Sequence, residues 1–257
     1  GGTVNVLDCI REFGSVKAAV MITSDKCYEN VEWVWGYREN DRLGGDDPYS
    51  ASKACAEIAC NSYIKSFFSK KNLPAVATAR AGNVIGGGDW APDRIVPDCV
   101  KTFAMGKTLE IRSPESIRPW QHVLEPLSGY LWLGANLLQD NNQVKGESFN
   151  FGPSSEVYRT VEDLVEEFNK VWKNGKWYKA VKVDNSKKES VLLKLNCDKA
   201  LKYLTWHTTL SFEETVKMIA DWYKVFYTAE EDMYNFTIRQ IEEYINISSE
   251  RGLTWAK

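Results

Sequence analysis

The chain has 257 residues, 44% of them hydrophobic, and a formal net charge of -3 at pH 7. That length can bury a sizeable core as one large or two small domains. The slightly negative balance argues against nucleic acid as the main partner, and no apolar run of 18 residues offers a membrane-spanning helix.

In chain order, residues 3–13 are predicted to be helical, because Val4, Leu7, Ile10 and Phe13 recur at helical spacing. Ala18-Ala19-Val20-Met21-Ile22 reads as a short buried parallel strand. Residues 31–47 are a polar loop whose aromatic cluster, Trp33, Trp35 and Tyr37, either lines a pocket or packs. A long helix runs from Tyr49 to about Lys70, and Pro74 to Arg80 is the next strand. The first ninety residues therefore form the back half of a doubly wound α/β sheet.

After Trp90 the pattern enters a second, smaller unit. Helices are predicted over Arg94–Met105, Val123–Leu138, Val161–Trp172, Asp198–Tyr203, Ser211–Tyr227 and Met233–Tyr244, with short strands at Leu109–Ile111 and Ser148–Gly152. The Lys-rich stretch 173–190 reads as a strand within a loop. The domain division is thus 1–90 and 91–257, with segments near 120–152 expected to return to the first sheet.

The cysteines, Cys9, Cys27, Cys55, Cys60, Cys99 and Cys197, form no C-x-x-C pair and have no histidine at ligand spacing, so no metal site is expected. They read as reduced residues of a cytoplasmic protein. Two glycosylation-type sequences, at Asn235 and Asn246, are read as unused, since no secretory signal is visible. His122 reads as a hydrogen-bonded structural residue and His207 as exposed. The tryptophans at 33, 35, 90 and 120 read as core, with Trp90 and Trp120 candidates for walling a site.

Two segments carry chemistry. Thr23-Ser24-Asp25-Lys26 sets a hydroxyl, a carboxylate and an amine at the end of a strand, where open α/β sheets gather their active residues. Tyr49-Ser50-Ala51-Ser52-Lys53 spaces a phenol and an ammonium four apart, on one helix face. An ammonium beside a phenol favours phenolate, a general base for a sugar or alcohol hydroxyl. Tyr-x-x-x-Lys alone is a weak signal. Asp46-Asp47-Pro48 strengthens it by placing the tyrosine at a helix start.

These segments, with Ala79-Arg80-Ala81-Gly82-Asn83-Val84-Ile85-Gly86-Gly87-Gly88-Asp89-Trp90 and Arg118-Pro119-Trp120-Gln121-His122-Val123, resemble the extended short-chain dehydrogenase/reductases, and within them the nucleotide-sugar 4,6-dehydratases. Ser-Asp-Lys, where the TDP-glucose enzymes carry Thr-Asp-Glu, resembles the CDP-sugar branch. The resemblance implies a Rossmann-type NAD-binding sheet plus a smaller substrate domain. It implies NAD-dependent conversion of CDP-glucose to a 4-keto-6-deoxy sugar, in a setting of deoxysugar synthesis for surface polysaccharide. Tyr49 would take the C4 hydroxyl proton, Lys53 would support Tyr49 and hold the nicotinamide ribose, and Ser24 would bind the C4 oxygen. Asp25 would protonate the departing C6 hydroxyl. Lys26 would act either as a base of lowered pKa or as an electrostatic support for the enolate.

The same resemblance implies substrate contacts at Asn83 and Arg118 for the diphosphate, Arg94 and Asn150 near the nucleotide, and Arg112 by the base. It also implies a homodimer through helices near 2–13 and 49–68. Asn196 and Lys187-Lys188-Glu189 depart from the family pattern. A Gly-rich phosphate turn after an opening strand is not visible, and Gly86-Gly87-Gly88 lies too far downstream to be one. Roughly the first hundred family residues are therefore expected to be missing. Two other readings stay open: a nucleotide-sugar 4-epimerase, which needs no elimination acid, and a non-catalytic remnant.

Overall fold

The structure, a computed structural model, describes residues 1–70, 73–154, 158–180 and 192–257. Helix α1 (Gly2–Glu12) leads to strand β1 (Ala18–Ile22), a single 3₁₀ turn (Asp25–Cys27) and helix α2 (Pro48–Tyr63). Strands β2 (Ala75–Ala81) and β3 (Val84–Ile85), helix α3 (Ile95–Ala104), strands β4 (Thr108–Ile111) and β5 (Gln121–His122), helix α4 (Leu124–Leu138) and strand β6 (Ser148–Phe151) follow. The chain continues through α5 (Val161–Trp172), β7 (Lys176–Lys179), α6 (Asp198–Leu204), α7 (Phe212–Thr228) and α8 (Met233–Glu250).

Local chemistry sets the element ends. The Asp47 carboxylate accepts the N–H groups of Tyr49 and Ser50 at 2.9 and 3.0 Å, and Pro48 opens α2. At its far end α2 widens into a π turn over Ile64–Phe68, so the apolar periodicity outlasts the α-helix proper. Reciprocal side-chain caps start α5 (Thr160 with Asp163) and α7 (Ser211 with Glu214). Helix α8 runs past Tyr244, where the sequence pattern fades. Ser248 faces inward there, donating to the Tyr244 carbonyl at 2.7 Å and pairing with Thr209 Oγ1 at 2.9 Å.

The main sheet is parallel, in the order β1-β2-β6. Residues alternate between its faces. Ala75, Ala77, Ala79 and Ala81 pack with Leu133, Leu137, Ala200 and Leu204 from α4 and α6. Val76, on the opposite face, packs with Leu7, Ile10, Cys60, Ile64 and Phe68 around α1 and α2. Phe13, expected on the buried face of α1, follows the last helical residue and is exposed.

Ser148–Phe151 joins the sheet as the β6 edge, and α4 covers one face. Gln121–His122 instead pairs with Val84–Ile85 in a separate two-stranded ribbon. The smaller unit wraps α3, α5 and α7 around the parallel pair β4–β7, with Val100, Phe103, Ile111, Phe168, Val216 and Tyr223 in its core. Lys176–Lys179 is the strand expected in the Lys-rich stretch. The departure at Lys187-Lys188-Glu189 lies outside the described residues.

The aromatic loop packs rather than lining a pocket: Tyr37 stacks on Tyr28 at 5.2 Å, Trp33 leans on Tyr37, and Leu193 and Leu195 close the cluster, with Trp35 left exposed. Trp90 meets Tyr223, Phe226 and Tyr227, away from the cleft described below.

One buried carboxylate joins the C-terminal helices to the sheet unit. Glu125 on α4 accepts the N–H of Thr209 (2.9 and 3.0 Å), the N–H of Leu210 (2.7 Å) and the Tyr244 hydroxyl (2.9 Å). Burial pushes its pKa up, against those donors. Glu125→Ala removes the acceptor and strands the buried Thr209 and Leu210 N–H groups, while the Tyr244 hydroxyl keeps Ser128 Oγ at 3.2 Å. It is expected to lower unfolding free energy by about 3 kcal/mol in urea denaturation, with α7 and α8 losing amide-exchange protection first.

Candidate active site

A cleft of about 640 Å³ opens at the carboxyl ends of β1 and β2, between the sheet and the unit carrying α3 and β4. Its size suits a small-molecule ligand, and its place is where doubly wound sheets bind theirs. Thr23, Ser24, Asp25, Lys26, Tyr49, Asn83, Arg94, Arg112 and Arg118 all line it. Residues far apart in sequence therefore meet on one surface.

At the end of β1 the chain turns sharply. Ser24 is buried; its hydroxyl donates to Asp25 Oδ1 at 2.9 Å and accepts the Lys26 N–H at 3.2 Å. Asp25 is 3% exposed, and its Oδ2 has no hydrogen-bond partner. Desolvation raises its pKa, against the opposing pull of Lys26, the Ser24 hydroxyl and Arg118. Burial therefore favours its protonated form relative to a solvated aspartate. Gly82 makes room for this carboxylate, since a Cβ there would come within 1.9 Å of Asp25 Oδ2. The Lys26 side chain is exposed at the cleft.

Tyr49 stands in the first turn of α2, 57% exposed, with the Lys53 ammonium 5.7 Å from its ring centre. Lys53 does not itself line the cleft. Asn83 follows β2 with φ of 49°, a left-handed conformation that asparagine tolerates, and its carbonyl accepts the Gln121 N–H at 3.3 Å. Arg118 donates to the Ile117 carbonyl at 2.9 Å. Arg94 pairs with Asp89 at 3.0 Å and Arg112 with Asp93 at 3.9 Å.

Asn150 is placed elsewhere. It is fully buried: its Oδ1 accepts from Tyr28, and its Nδ2 donates to the carbonyls of Tyr37 and Asn196. It ties β6 to two loops and does not reach the cleft. Asn196, one of the sequence departures, thus supports Asn150 through its backbone. Of the two candidate tryptophans, Trp120 lines the cleft and Trp90 does not.

Tyr130 on α4 also lines the cleft and was hidden in the sequence by the apolar periodicity of its helix. Burial, then the charge of Asp25, push its phenol pKa well up. The run Gly86–Gly88 is no phosphate cradle. Gly87 lies flat against Trp222, where a Cβ would meet the ring at 2.2 Å. Tyr49 and Lys53, a phenol and an ammonium on one face of α2, are the groups present that could meet a nicotinamide ribose. No group of three or more His, Cys, Asp or Glu suited to a metal ion exists among the described residues.

Residues 1–219 match the family model described as GDP-mannose 4,6 dehydratase. The chain belongs to that family. It is 44% identical over 253 residues to the CDP-glucose 4,6-dehydratase of Salmonella typhimurium, covering 96% of this chain and 69% of that enzyme. Solved structures share the fold. The dTDP-glucose 4,6-dehydratase of Bacillus anthracis in complex with NAD superposes with a TM-score of 0.69 at 22% identity, covering 87% of this chain and 66% of that one. The UDP-glucuronic acid 4-epimerase of Bacillus cereus, in complex with UDP-glucuronic acid and NAD, gives 0.70 at 18%, with the same coverage. The chain thus spans about two thirds of the length of these relatives.

Two measurements check the site without a substrate. Gly82→Ala is expected to push Asp25 toward solvent and bring its titration down toward the ordinary aspartate range, read by carboxyl ¹³C NMR, with the fold intact by circular dichroism. His122 is buried in β5, its Nδ1 accepting the Leu124 N–H at 3.2 Å, and burial lowers its pKa from 6.5 to about 4. Below 6.5 the unfolded chain takes up a proton that the folded chain refuses, so stability falls as pH drops toward 4. The histidine's share of that loss is about 3 kcal/mol. His122→Asn, which keeps an acceptor, is expected to remove that part of the acid slope in urea titrations.

Proposed function

We propose that this chain carries the catalytic and sugar-binding part of an NAD-dependent 4,6-dehydratase acting on CDP-glucose and yielding CDP-4-dehydro-6-deoxyglucose. The observation that carries the reading is Asp25, a buried carboxyl beside Ser24 whose pKa is raised by desolvation, on the same cleft as the Tyr49 phenol. A 4-epimerase needs the tyrosine and lysine but has no use for an elimination acid, so the buried Asp25 favours dehydration. NAD, when bound, would accept a hydride from C4 and return it at C6.

The chain's own groups supply the proton chemistry. Tyr49 takes the C4 hydroxyl proton, with Lys53 stabilising the phenolate. The Ser24 hydroxyl steadies the oxygen at C4. The resulting 4-keto group acidifies C5–H; Lys26, on the cleft beside Asp25, accepts that proton as a free amine, and Asp25 protonates the departing C6 hydroxyl, which leaves as water. The proton returns from Lys26 to C5 as hydride returns to C6. Asn83 and Arg118 hold the diphosphate, and Arg94 and Arg112 lie toward the nucleotide. The cytosine preference rests on the similarity to the Salmonella enzyme.

The setting is cytoplasmic deoxysugar synthesis feeding surface polysaccharide, consistent with six free cysteines. No helix among the described residues is long and apolar enough to cross a membrane. A homodimer forms through the outer faces of α1, α2 and the π turn that follows it, where Val6, Ile58 and Phe67 are exposed.

Incubation with NAD⁺ and CDP-glucose is expected to give a product lighter by one water with the alkaline absorbance of a 4-keto sugar. UDP- and TDP-glucose give none, and Tyr49→Phe lowers the rate by about 10³-fold. Absence of product, both from this chain and from one extended by a family N-terminal segment, overturns the reading.

A further inference from the structure

Behind the cleft lies a buried polar network in which neither Glu57 nor Arg80 has an assigned role. Arg80 on β2 and Glu57 on α2 form an ion pair at 2.7 Å, with side chains 3% and 2% exposed. Glu57 Oε2 also accepts from Thr78 at 2.8 Å, and Oε1 accepts from the Thr23 hydroxyl. Arg80 donates its other amino group to the Tyr28 hydroxyl at 2.7 Å and the Glu39 carbonyl at 3.1 Å, and Tyr28 passes on to Asn150. A buried ion pair is in general a poor source of stability, because desolvation offsets its attraction. Its presence here calls for another reason.

Topology supplies one. Glu57 follows Tyr49 and Lys53 at successive spacings of four on α2, so the stripe that carries the phenol ends in the clamp. Thr23 immediately precedes Ser24 and Asp25, and it alone among the network's residues named above lines the cleft. We infer that the Glu57–Arg80 pair is a positioning device that fixes Tyr49 against Ser24 and Asp25 through the hydrogen bond from Thr23. Glu57 lies about 12 Å along the helix from Tyr49, so a tilt of about 5° around the clamp moves the phenol by about 1 Å. A misplacement of that size costs about 10²-fold in rate. Glu57 and Arg80 touch no reacting atom; they act through α2 and Thr23.

The inference rests on the dehydratase reading, and the experiment separates the two. Thr23→Val keeps the ion pair and the volume but deletes the hydrogen bond. Glu57→Leu with Arg80→Met removes both charges together and preserves stability. With CDP-glucose and NAD⁺, both variants are expected to lose about 10²-fold in kcat, with KM within threefold and melting temperature near wild type. Thr23→Ser, which restores the hydroxyl, is expected to recover kcat. Turnover within threefold of wild type in the two clamp variants overturns the inference, as does a loss that simply tracks melting temperature. If the wild-type chain does not turn over CDP-glucose, the dehydratase reading fails by itself and amide exchange decides the clamp. Exchange at residues 22–27 and 48–53 is then expected to rise at least tenfold in the two clamp variants and not in Thr23→Ser. Equal exchange in all four proteins overturns the inference.

Discussion

The ion pair between Glu57 and Arg80 joins the end of β1, β2, α2 and the loop before α2 in one buried network. Neither charge reaches solvent, so each must be matched inside. Glu57 matches its two oxygens with Thr23, Thr78 and Arg80, and Arg80 turns to Tyr28 and the Glu39 backbone. The partners sit at the end of β1, on β2 and in the loop that leads to α2, with β6 joined through Asn150. Those elements cannot slide past one another without exposing an unpaired charge. The parallel sheet has a register set by hydrophobic burial, and the clamp adds a polar lock on the face that carries α2.

A second buried carboxylate plays the matching role on the opposite face. Glu125 gathers the N–H groups that open onto α7 and the hydroxyl of Tyr244 on α8. The C-terminal helices thus hang from α4, and α4 packs on the alanine face of the main sheet. The two anchors leave the carboxyl ends of β1 and β2 uncovered between them. That gap is the cleft, and its floor is the sharp turn of Ser24 and Asp25.

Much of this was legible in the sequence, and the reasons for the rest are specific. The strand at Ala18–Ile22, the start of α2 and the capped helices α5 and α7 follow from hydrophobic period and cap chemistry, both local signals. Ser24, Asp25, Lys26 and Tyr49 were found because they cluster in two short motifs. Glu57 and Arg80 were not. Each looks, in one dimension, like an ordinary charge in a helix or strand, and only the fold brings them together. Asn150 was misplaced for the converse reason: an asparagine at a strand end is equally suited to bind a nucleotide or to staple two loops, and the stapled carbonyls of Tyr37 and Asn196 come from distant sequence. Tyr130 disappeared into the apolar stripe of α4, and the end of α8 was missed because Ser248 is polar yet buried.

The contrast between Asp25 and Lys26 shows how one turn can divide two roles. The 3₁₀ turn directs adjacent side chains apart, Asp25 into the protein under Gly82 and Lys26 out into the cleft. Burial then shifts the carboxyl toward its protonated form, while exposure leaves the amine open to the cleft. A larger residue than glycine at position 82 would force Asp25 out of its niche and place two solvated groups side by side. An acid would then become a salt-bridge partner for Lys26, its pKa would fall, and the site would lose its proton donor while keeping every residue of the motif.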